Sequence, residues 1–379
     1  MKHYFYICIL LVFLICSCTE HEEQKYVIGV SLSSMDNWKN QLSLEMKEFK
    51  YFDPNIDVNI VSDEDYSQKQ SDQINMLIDE GIDVLVVAPN YKDSLVEAIN
   101  RAYENHIPVI FYGHKVDSCH YTAYIGADNY NIGYSIGQYM CAQLRGRGNV
   151  VELKGLKDYM PTIERHQGFM DAIAKCPGIR IIASEYADYK AEPATKVMDS
   201  ILNKRTDIDY VFGHNDIMAN AAYKCVKKHG IKRTILYSGV DALNIPGGGL
   251  ELVRDGKISA TCAYPTRGDK VIELALKILH GEKYAKVNKL KTTVITPTNV
   301  GIMIQFAQEL ERQENNLELL YHQIDEYIKE YKQHRMINII VFVFVLFIII
   351  RTIILYIANR KKGKKIKELQ DRIIRLTRR

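Results

Sequence analysis

Residues 84–112 read VLVVAPNYKDSLVEAINRAYENHIPVIFY, and this stretch decides the fold. It begins with a five-residue apolar run, VLVVA, and ends with another that is rich in β-branched and aromatic residues, PVIFY. Between them, residues 94–105 show the apolar spacing of an amphipathic helix. A strand, a helix and a second strand in this order predict two parallel strands of one sheet with the helix packed on its face.

The same alternation runs from residue 26 to about residue 295 and predicts parallel sheets with helices on both faces. The other strand-like runs are YVIGVS (26–31), VNIV (58–61), YTAYIG (121–126), NVVEL (149–153), IRIIAS (179–184), YVFG (210–213), TILYSGV (234–240) and ISATCAY (258–264). A segment of this length is larger than one hydrophobic core usually accommodates, which favours two lobes. Ligands of open α/β sheets bind beyond the carboxyl ends of the strands, so we expect the functional residues in the turns there.

A second pattern predicts a membrane anchor. Residues 339–350 (IIVFVFVLFIII) carry no polar side chain, and residues 337–358 are long enough for a transmembrane helix. Residues 360–379 hold ten Lys or Arg against one Glu and one Asp, which places the C-terminus inside the cell and the rest of the chain outside. The alternative is a buried core helix.

The leader, the cysteines and the net charge indicate where the protein is located, the state of its thiols and which partners are excluded. Residues 1–25 have the pattern of an export signal or N-terminal anchor, and Cys18 is a candidate lipidation site. The five cysteines beyond the leader show no CxxC spacing, so buried free thiols with at most two pairs are expected. The basic tail carries a net charge of +8, which exceeds the +3 of the whole chain, so the rest of the chain is not basic and no nucleic-acid partner is expected.

Residues 301–336 carry a heptad pattern that predicts a coiled-coil linker and a homodimer. Its seam consists of Met303, Leu310, Leu317, Ile324 and Tyr331, with Phe306, Gln313, Leu320, Tyr327 and His334 three residues later. Ile366, Leu369, Ile373 and Leu376 continue the pattern in the basic segment 359–379. The alternative is one amphipathic helix packed on its own domain.

Several polar and aromatic residues follow predicted strands. Trp38, the only Trp, is either a platform for a flat ligand or a core anchor. Asn215 and Asp241 suit vicinal hydroxyls, whereas Asp216 is also a candidate helix cap. Arg165 opens a predicted helix, where a cation is poorly placed against the dipole; it has either a specific partner or a solvated position.

No enzymatic signature accompanies these residues. The chain has no GxSxG, HExxH or kinase motif, and Gly247-Gly248-Gly249 lacks the Lys-Ser/Thr of a phosphate loop. The eleven His are dispersed, which argues against a metal cluster. We therefore expect no catalytic activity, no cofactor and no metal.

The chain resembles the type I periplasmic sugar-binding proteins, the ribose-binding family, at YIGADNYNIG (124–133), IERHQGF (163–169), GHNDIMA (213–219), SGVDAL (238–243) and ATCAYPTRGDKVIELALKIL (260–279). The resemblance implies two Rossmann-like lobes, three hinge crossings and a sugar between the lobes of a periplasmic domain over residues 26–300. Lobe 1 would comprise residues 26–127 and 265–300, and lobe 2 residues 128–264.

IGVSLSSMDNW (28–38), YPTRGD (264–269) and TNVGIMIQ (298–305) resemble the sensor halves of hybrid two-component regulators of gut Bacteroidetes. Carried over by motif, the ligand-binding residues would be Trp38, Tyr189, Asn215, Asp241, Tyr264 and, more weakly, Arg165. The family's usual Asp-Arg after the fourth strand is Gly113-His114 here, which makes His114 a further candidate, and one family Arg is replaced by Ile163. These departures point to an unusual or more weakly bound ligand.

The resemblance implies an inner-membrane sugar sensor that signals through a dimeric coiled coil. The chain ends at Arg379, without a kinase, so we expect either the input part of a longer histidine kinase or a short sensor that acts through a separate cytoplasmic kinase. The main alternative is a solute-binding lipoprotein of a sugar importer. A repressor with the same fold is disfavoured, because no helix-turn-helix precedes residue 26.

Overall fold

The structure is a computed structural model that describes residues 25–33, 37–49, 52–53, 55–62, 67–89, 95–116 and 119–377. The predicted leader and Cys18 lie outside the described residues. The chain divides into a first unit that ends at Leu310 and a second unit that begins at Glu311. The first unit contains two six-stranded sheets, and each sheet forms the centre of one lobe.

The first lobe is built on a wholly parallel sheet, as the strand–helix–strand alternation predicts. Its strand order is β11-β5-β4-β3-β1-β2. The strands are β1 (Tyr26–Leu32), β2 (Ile56–Ser62), β3 (Val84–Ala88), β4 (Val109–Tyr112), β5 (Ala123–Ala127) and β11 (Val287–Leu290). β3 and β4 are buried throughout, which explains why they read as continuous apolar runs.

The second lobe has a sheet of order β12-β10-β9-β8-β6-β7. The strands are β6 (Arg147–Lys154), β7 (Gly178–Tyr186), β8 (Tyr210–Gly213), β9 (Leu236–Asp241), β10 (Ala260–Ala263) and β12 (Val294–Ile295). All neighbours are parallel except β12, which pairs antiparallel with β10. The expected lobe boundary is corrected here, because residues 294–300 belong to lobe 2. β12 completes the edge of that sheet, and Ile295 and Val300 are buried in its core.

Helices cover the faces of both sheets. They are α1 (Asn37–Glu48), α2 (Ser67–Asp79), α3 (Val96–Glu104), α4 (Asn129–Gln143), α5 (Met160–Ile173), α6 (Ala191–Leu202), α7 (Asp216–Lys228), α8 (Gly249–Arg254), α9 (Gly268–Leu279) and α10 (Val300–Thr377). The chain passes between the lobes three times: between β5 and α4, between β10 and α9, and between β11 and β12. Asp128 caps α4 at the first crossing, where its side chain accepts a hydrogen bond from the Asn131 backbone N–H at 3.0 Å.

The helix that contains Arg165 begins earlier than the sequence predicts. α5 starts at Met160 with Pro161 in its first turn, where the missing proline N–H has no intrahelical partner to lose. Arg165 therefore lies beyond the first turn and does not face the positive end of the helix dipole. The expectation that Arg165 opens the helix is wrong.

α4 and α5 approach each other closely over small residues. A Cβ on Gly133 would lie 1.9 Å from the Arg165 carbonyl oxygen, and a Cβ on Gly168 would lie 1.9 Å from that of Tyr130. Beyond this crossing, Cys141 and Cys176 form a disulfide with Cα atoms 6.4 Å apart. The expectation of free thiols is thus corrected for these two residues, since the helix packing brings their sulfurs together. Cys225 and Cys262 remain buried thiols.

α10 is a single helix of 78 residues. Its first turns belong to lobe 2, because Met303, Ile304 and Ala307 pack against the core that contains β12. Among the described residues, α10 is the one helix long and apolar enough to cross a membrane. The heptad residues Leu310, Leu317 and Ile324 are exposed in the single chain.

Candidate ligand-binding site

Trp38 connects the two lobes beyond the carboxyl ends of their strands. It lies in the first turn of α1, in lobe 1, and is half-buried. Its indole Nε1–H donates a 2.9 Å hydrogen bond to the carbonyl oxygen of Tyr264, which follows β10 of lobe 2. Its ring lies 5.1 Å from the Tyr264 ring, edge-on, and 5.6 Å from the Tyr112 ring. Trp38 thus packs against the apolar cores of both lobes and has only its ring left to offer a ligand.

Arg165 is buried and ties three segments of lobe 2 together. Its Nε donates to the Asn129 side-chain oxygen at 2.9 Å, and its Nη1 donates to the His214 carbonyl oxygen at 2.5 Å. The guanidinium carbon lies 5.1 Å from the ring centre of Tyr264 and 5.8 Å from that of Tyr189. Burial lowers the pKa of Arg165, but the nearby tyrosines and Asp241 outweigh this effect and the pKa is raised. Arg165 thus has specific partners inside the protein.

Asn215 and Tyr189 hold each other in place. Asn215 caps α7, accepting a 2.9 Å hydrogen bond from the Met218 backbone N–H, and its Nδ2 donates to the Tyr189 carbonyl oxygen at 3.0 Å. The reading of Asp216 as the cap is therefore wrong. Tyr189 has a positive φ of 61°, and its hydroxyl lies 2.8 Å from the Thr162 hydroxyl. The side-chain amide of Asn215 keeps one N–H and one lone pair for a further hydrogen-bond partner.

Asp241 ends β9 at a backbone turn that is unusual for a non-glycine residue. Its φ is 117°, and that of Ala242 is 56°. Asp216 supports this turn by accepting a 2.8 Å hydrogen bond from the Ala242 backbone N–H. Burial raises the pKa of Asp216 to about 7. The Tyr264 backbone N–H donates to the Asp241 carbonyl oxygen at 3.3 Å, so the two strand ends are joined.

His114 contributes a contact between the lobes on the side of β4. It follows Gly113, whose φ is +81°, and its ring lies 4.7 Å from the Tyr159 ring in an edge-on arrangement. Burial, with a smaller effect from Lys39, lowers the pKa of His114 to about 3. The imidazole is therefore neutral at pH 7, at the position where the resemblance leads one to expect a charged Asp-Arg pair.

The fold brings the sequence-predicted residues into one connected group. Trp38, Tyr264, Arg165, Tyr189 and Asn215 are linked by the contacts above, and Asp241 adjoins them through its backbone. His114 contacts Tyr159, a residue that the sequence did not single out, whose ring lies 6.1 Å from that of Tyr189. The other members that the sequence did not single out are Tyr112, Asn129 and Thr162. Only Asn129 carried a signal, since it lies at a predicted crossover.

The profile of the periplasmic binding protein domain matches residues 28–283 of this chain. The chain belongs to the periplasmic binding protein family. Among curated members, the ribose import binding protein of Bacillus subtilis is 27% identical over 271 residues, covering 70% of this chain and 85% of its own length. The Escherichia coli ribose import binding protein is 30% identical over 217 residues, covering 57% and 72%. The predicted two-lobe α/β fold is thereby confirmed.

Two solved structures of the family are also similar. The fructose-binding periplasmic domain of a hybrid two-component system is 40% identical, with a TM-score of 0.76 over 78% of this chain and 98% of that chain. A solute-binding protein from Actinobacillus succinogenes with bound D-allose is 25% identical, with a TM-score of 0.67 over 73% and 99%. The chain is thus a periplasmic sugar-binding domain with an additional long apolar helix.

Proposed function

We propose that this protein is a membrane-anchored sensor that binds a monosaccharide between its lobes and signals through α10. The observation that carries the sugar site is the cluster of Trp38, Tyr264, Tyr189 and Arg165, which draws on both lobes at the carboxyl ends of their strands. Family membership and the 40% identity to a fructose-binding sensor domain support the same conclusion. Fructose is therefore the first ligand to test.

Each site residue takes a role that its contacts allow. Trp38 and Tyr189 present ring faces to the apolar face of the sugar, while Asn215 and Asp241 bind hydroxyl groups. Tyr264 packs between Trp38 and Arg165, and His114 offers a neutral hydrogen-bonding group. Arg165 supports the site by holding Asn129 and the His214 carbonyl oxygen in place.

Calorimetry of the full chain in detergent micelles tests the sugar site. We expect binding heat for one sugar among fructose, ribose, D-allose and glucose, and no measurable heat for the Trp38→Ala variant. Tyr103→Ala, an exposed aromatic of the same lobe, is the matched control and should bind as the parent protein does. A folded parent protein that binds no sugar of a broad panel would contradict the proposal, as would normal binding by Trp38→Ala.

Signalling follows from where α10 begins. A ligand that contacts both lobes favours the closed arrangement by its differential affinity for it. Because Met303, Ile304 and Ala307 pack on lobe 2, a movement of that lobe is passed to the start of α10. In a homodimer joined by the heptad seam from Leu310 onward, since Met303 packs on its own lobe, this movement would alter the helix pair, with residues 337–358 in the inner membrane and the domain in the periplasm.

Cysteine crosslinking in membranes tests the dimer. Leu317→Cys, on the predicted seam, should form a covalent dimer whose rate of formation changes with sugar. Leu319→Cys, which is also exposed but lies off the seam, is the matched control and should crosslink poorly. Equal crosslinking at the two positions would contradict a specific coiled coil.

The names of the relatives favour a second candidate, a binding protein that delivers sugar to an importer. Sugar delivery gives no role to the apolar part of α10. Restored sugar uptake in an importer strain that lacks its own binding protein would support delivery. Ligand-dependent crosslinking at Leu317→Cys without uptake would support sensing.

A further inference from the structure

Three side chains with different metal-binding atoms meet on the outer side of lobe 2, where α6 and α7 end. They are Asp199 in the last turn of α6, Cys225 near the end of α7 and His229, the C-cap of α7. Asp199 Oδ1 lies 3.1 Å from Cys225 Sγ and 2.7 Å from His229 Nε2, and all three atoms lie within 4.8 Å of one another. Cys225 and His229 are four residues apart, so they share one face of the helix.

We propose that Asp199, Cys225 and His229 form a binding site for a transition-metal ion, with Zn²⁺ as the favoured ion. Zinc sites use thiolate, imidazole and carboxylate ligands at bond lengths of about 2.0–2.3 Å, so their ligand atoms lie roughly 3.5 Å apart. The three donor atoms lie close to this arrangement, with two separations of 3.1 and 2.7 Å and none above 4.8 Å. The dispersed histidines of the sequence gave no hint of it, because the third donor comes from another helix.

Charge and solvent access also suit a cation. The metal displaces the thiol proton, after which the thiolate and the Asp199 carboxylate neutralise a divalent ion. The C-termini of α6 and α7 add the negative ends of their helix dipoles, whereas Lys228 nearby opposes binding. The Cys225 side chain is buried, but those of His229 and Asp199 are 26% and 37% exposed, which gives water access to a fourth position. Soft thiolate and imidazole ligands favour Zn²⁺ over Mg²⁺ or Ca²⁺.

The site is remote from the sugar. α7 begins next to Asn215 and has 13 residues, so its two ends are about 20 Å apart. A metal ion at the far end would join α6 to α7 and stabilise lobe 2 without contacting the ligand. Metal binding at this site is therefore independent of sugar binding.

Cobalt substitution in the full chain, without a histidine tag, tests the proposal. We expect one Co²⁺ per chain with a thiolate-to-cobalt charge-transfer band, displaced by Zn²⁺ and not by Mg²⁺. Cys225→Ser should lose the band, and His229→Asn should weaken Zn²⁺ binding at least tenfold in chelator competition. Cys262→Ser changes another buried thiol of lobe 2, and His280→Asn changes the C-cap histidine of α9; both should bind as the parent protein does.

Thermal unfolding supplies a second readout. Zn²⁺ should raise the melting temperature of the parent protein and of both controls, and should not raise that of His229→Asn. His229→Asn changes a partly exposed side chain, so it keeps the test valid if Cys225→Ser fails to fold. A parent protein that binds no Co²⁺ or Zn²⁺ would overturn the proposal. Binding that Cys225→Ser and His229→Asn leave unchanged would overturn it too.

Discussion

Replacement of Arg165 by methionine should destabilise lobe 2 and weaken ligand binding together. Arg165 donates two hydrogen bonds as a charged group, to Asn129 and to the His214 carbonyl oxygen. Such bonds contribute about 1.5–3 kcal/mol each, so their loss costs about 3–6 kcal/mol. Methionine regains part of this by apolar packing against Tyr189 and Tyr264. We expect the free energy of unfolding to fall by about 3–5 kcal/mol.

The assay is urea unfolding of the full chain in micelles, followed by pulse proteolysis, which reports the intact fraction of the external domain. Arg180→Met is the matched control, because Arg180 is exposed on β7, and its free energy should change by less than about 0.5 kcal/mol. Arg165→Lys keeps the charge but loses the planar fork, so its effect should be intermediate.

Calorimetry on the same variants then distinguishes a supporting role of Arg165 from direct contact between Arg165 and the sugar. Asn129 and His214 lie at the hinge crossing and at the end of β8, so their displacement should weaken sugar binding even though Arg165 is bonded to protein groups. This expectation is refuted if Arg165→Met lowers the free energy of unfolding by less than about 1 kcal/mol, roughly the effect of one ordinary hydrogen bond. Unchanged stability with lost binding would instead make Arg165 a direct ligand contact.

Three further perturbations test other features. Loss of the Cys141–Cys176 disulfide, which spans 35 residues, should cost about 4 kcal/mol in urea unfolding, and a reductant should then have no effect on the double serine variant. Gly168→Ala forces a Cβ against Tyr130 and should lower the free energy of unfolding by about 1–3 kcal/mol or more, whereas Gly301→Ala, with open space around it, should not. Burial raises the pKa of Asp216 to about 7, so the folded state keeps a proton that the unfolded state releases. Stability should therefore fall as the pH rises from about 4 to 7, by up to about 1.4 kcal/mol per unit, and Asp216→Asn should remove this slope in urea midpoints measured against pH.

The regular part of the fold was predictable because it rests on local patterns. The run at 84–88 coincides with β3, and PVIFY (108–112) exceeds β4 by one residue. β12 was not predictable, since a two-residue strand shows no periodicity and exists only because β10 has a free edge. Pro161 did indicate where α5 begins, because proline is favoured in the first turn of a helix, but the apolar spacing predicted a later start.

The candidate site was predictable only in part, for a related reason. Asn215 lies just after β8 and Asp241 is the last residue of β9, so the rule that ligands bind at the carboxyl ends of strands makes them candidates. The place of Tyr159 depends on how the lobes pack, which no local pattern records, whereas Asn129 could be anticipated only from its position at the predicted crossover. The disulfide is similar: Cys141 and Cys176 meet because glycines allow the two helices to approach closely.

Trp38 gives the molecule a built-in optical probe. Because it is the only tryptophan of the chain, selective excitation of indole fluorescence reports a single position. That position lies between the lobes, with its N–H on the Tyr264 carbonyl oxygen and its ring against Tyr112. The emission spectrum should therefore follow the proposed closure of the lobes around a sugar, without signal from tryptophans elsewhere in the chain. A stopped-flow trace can time that motion without any attached dye.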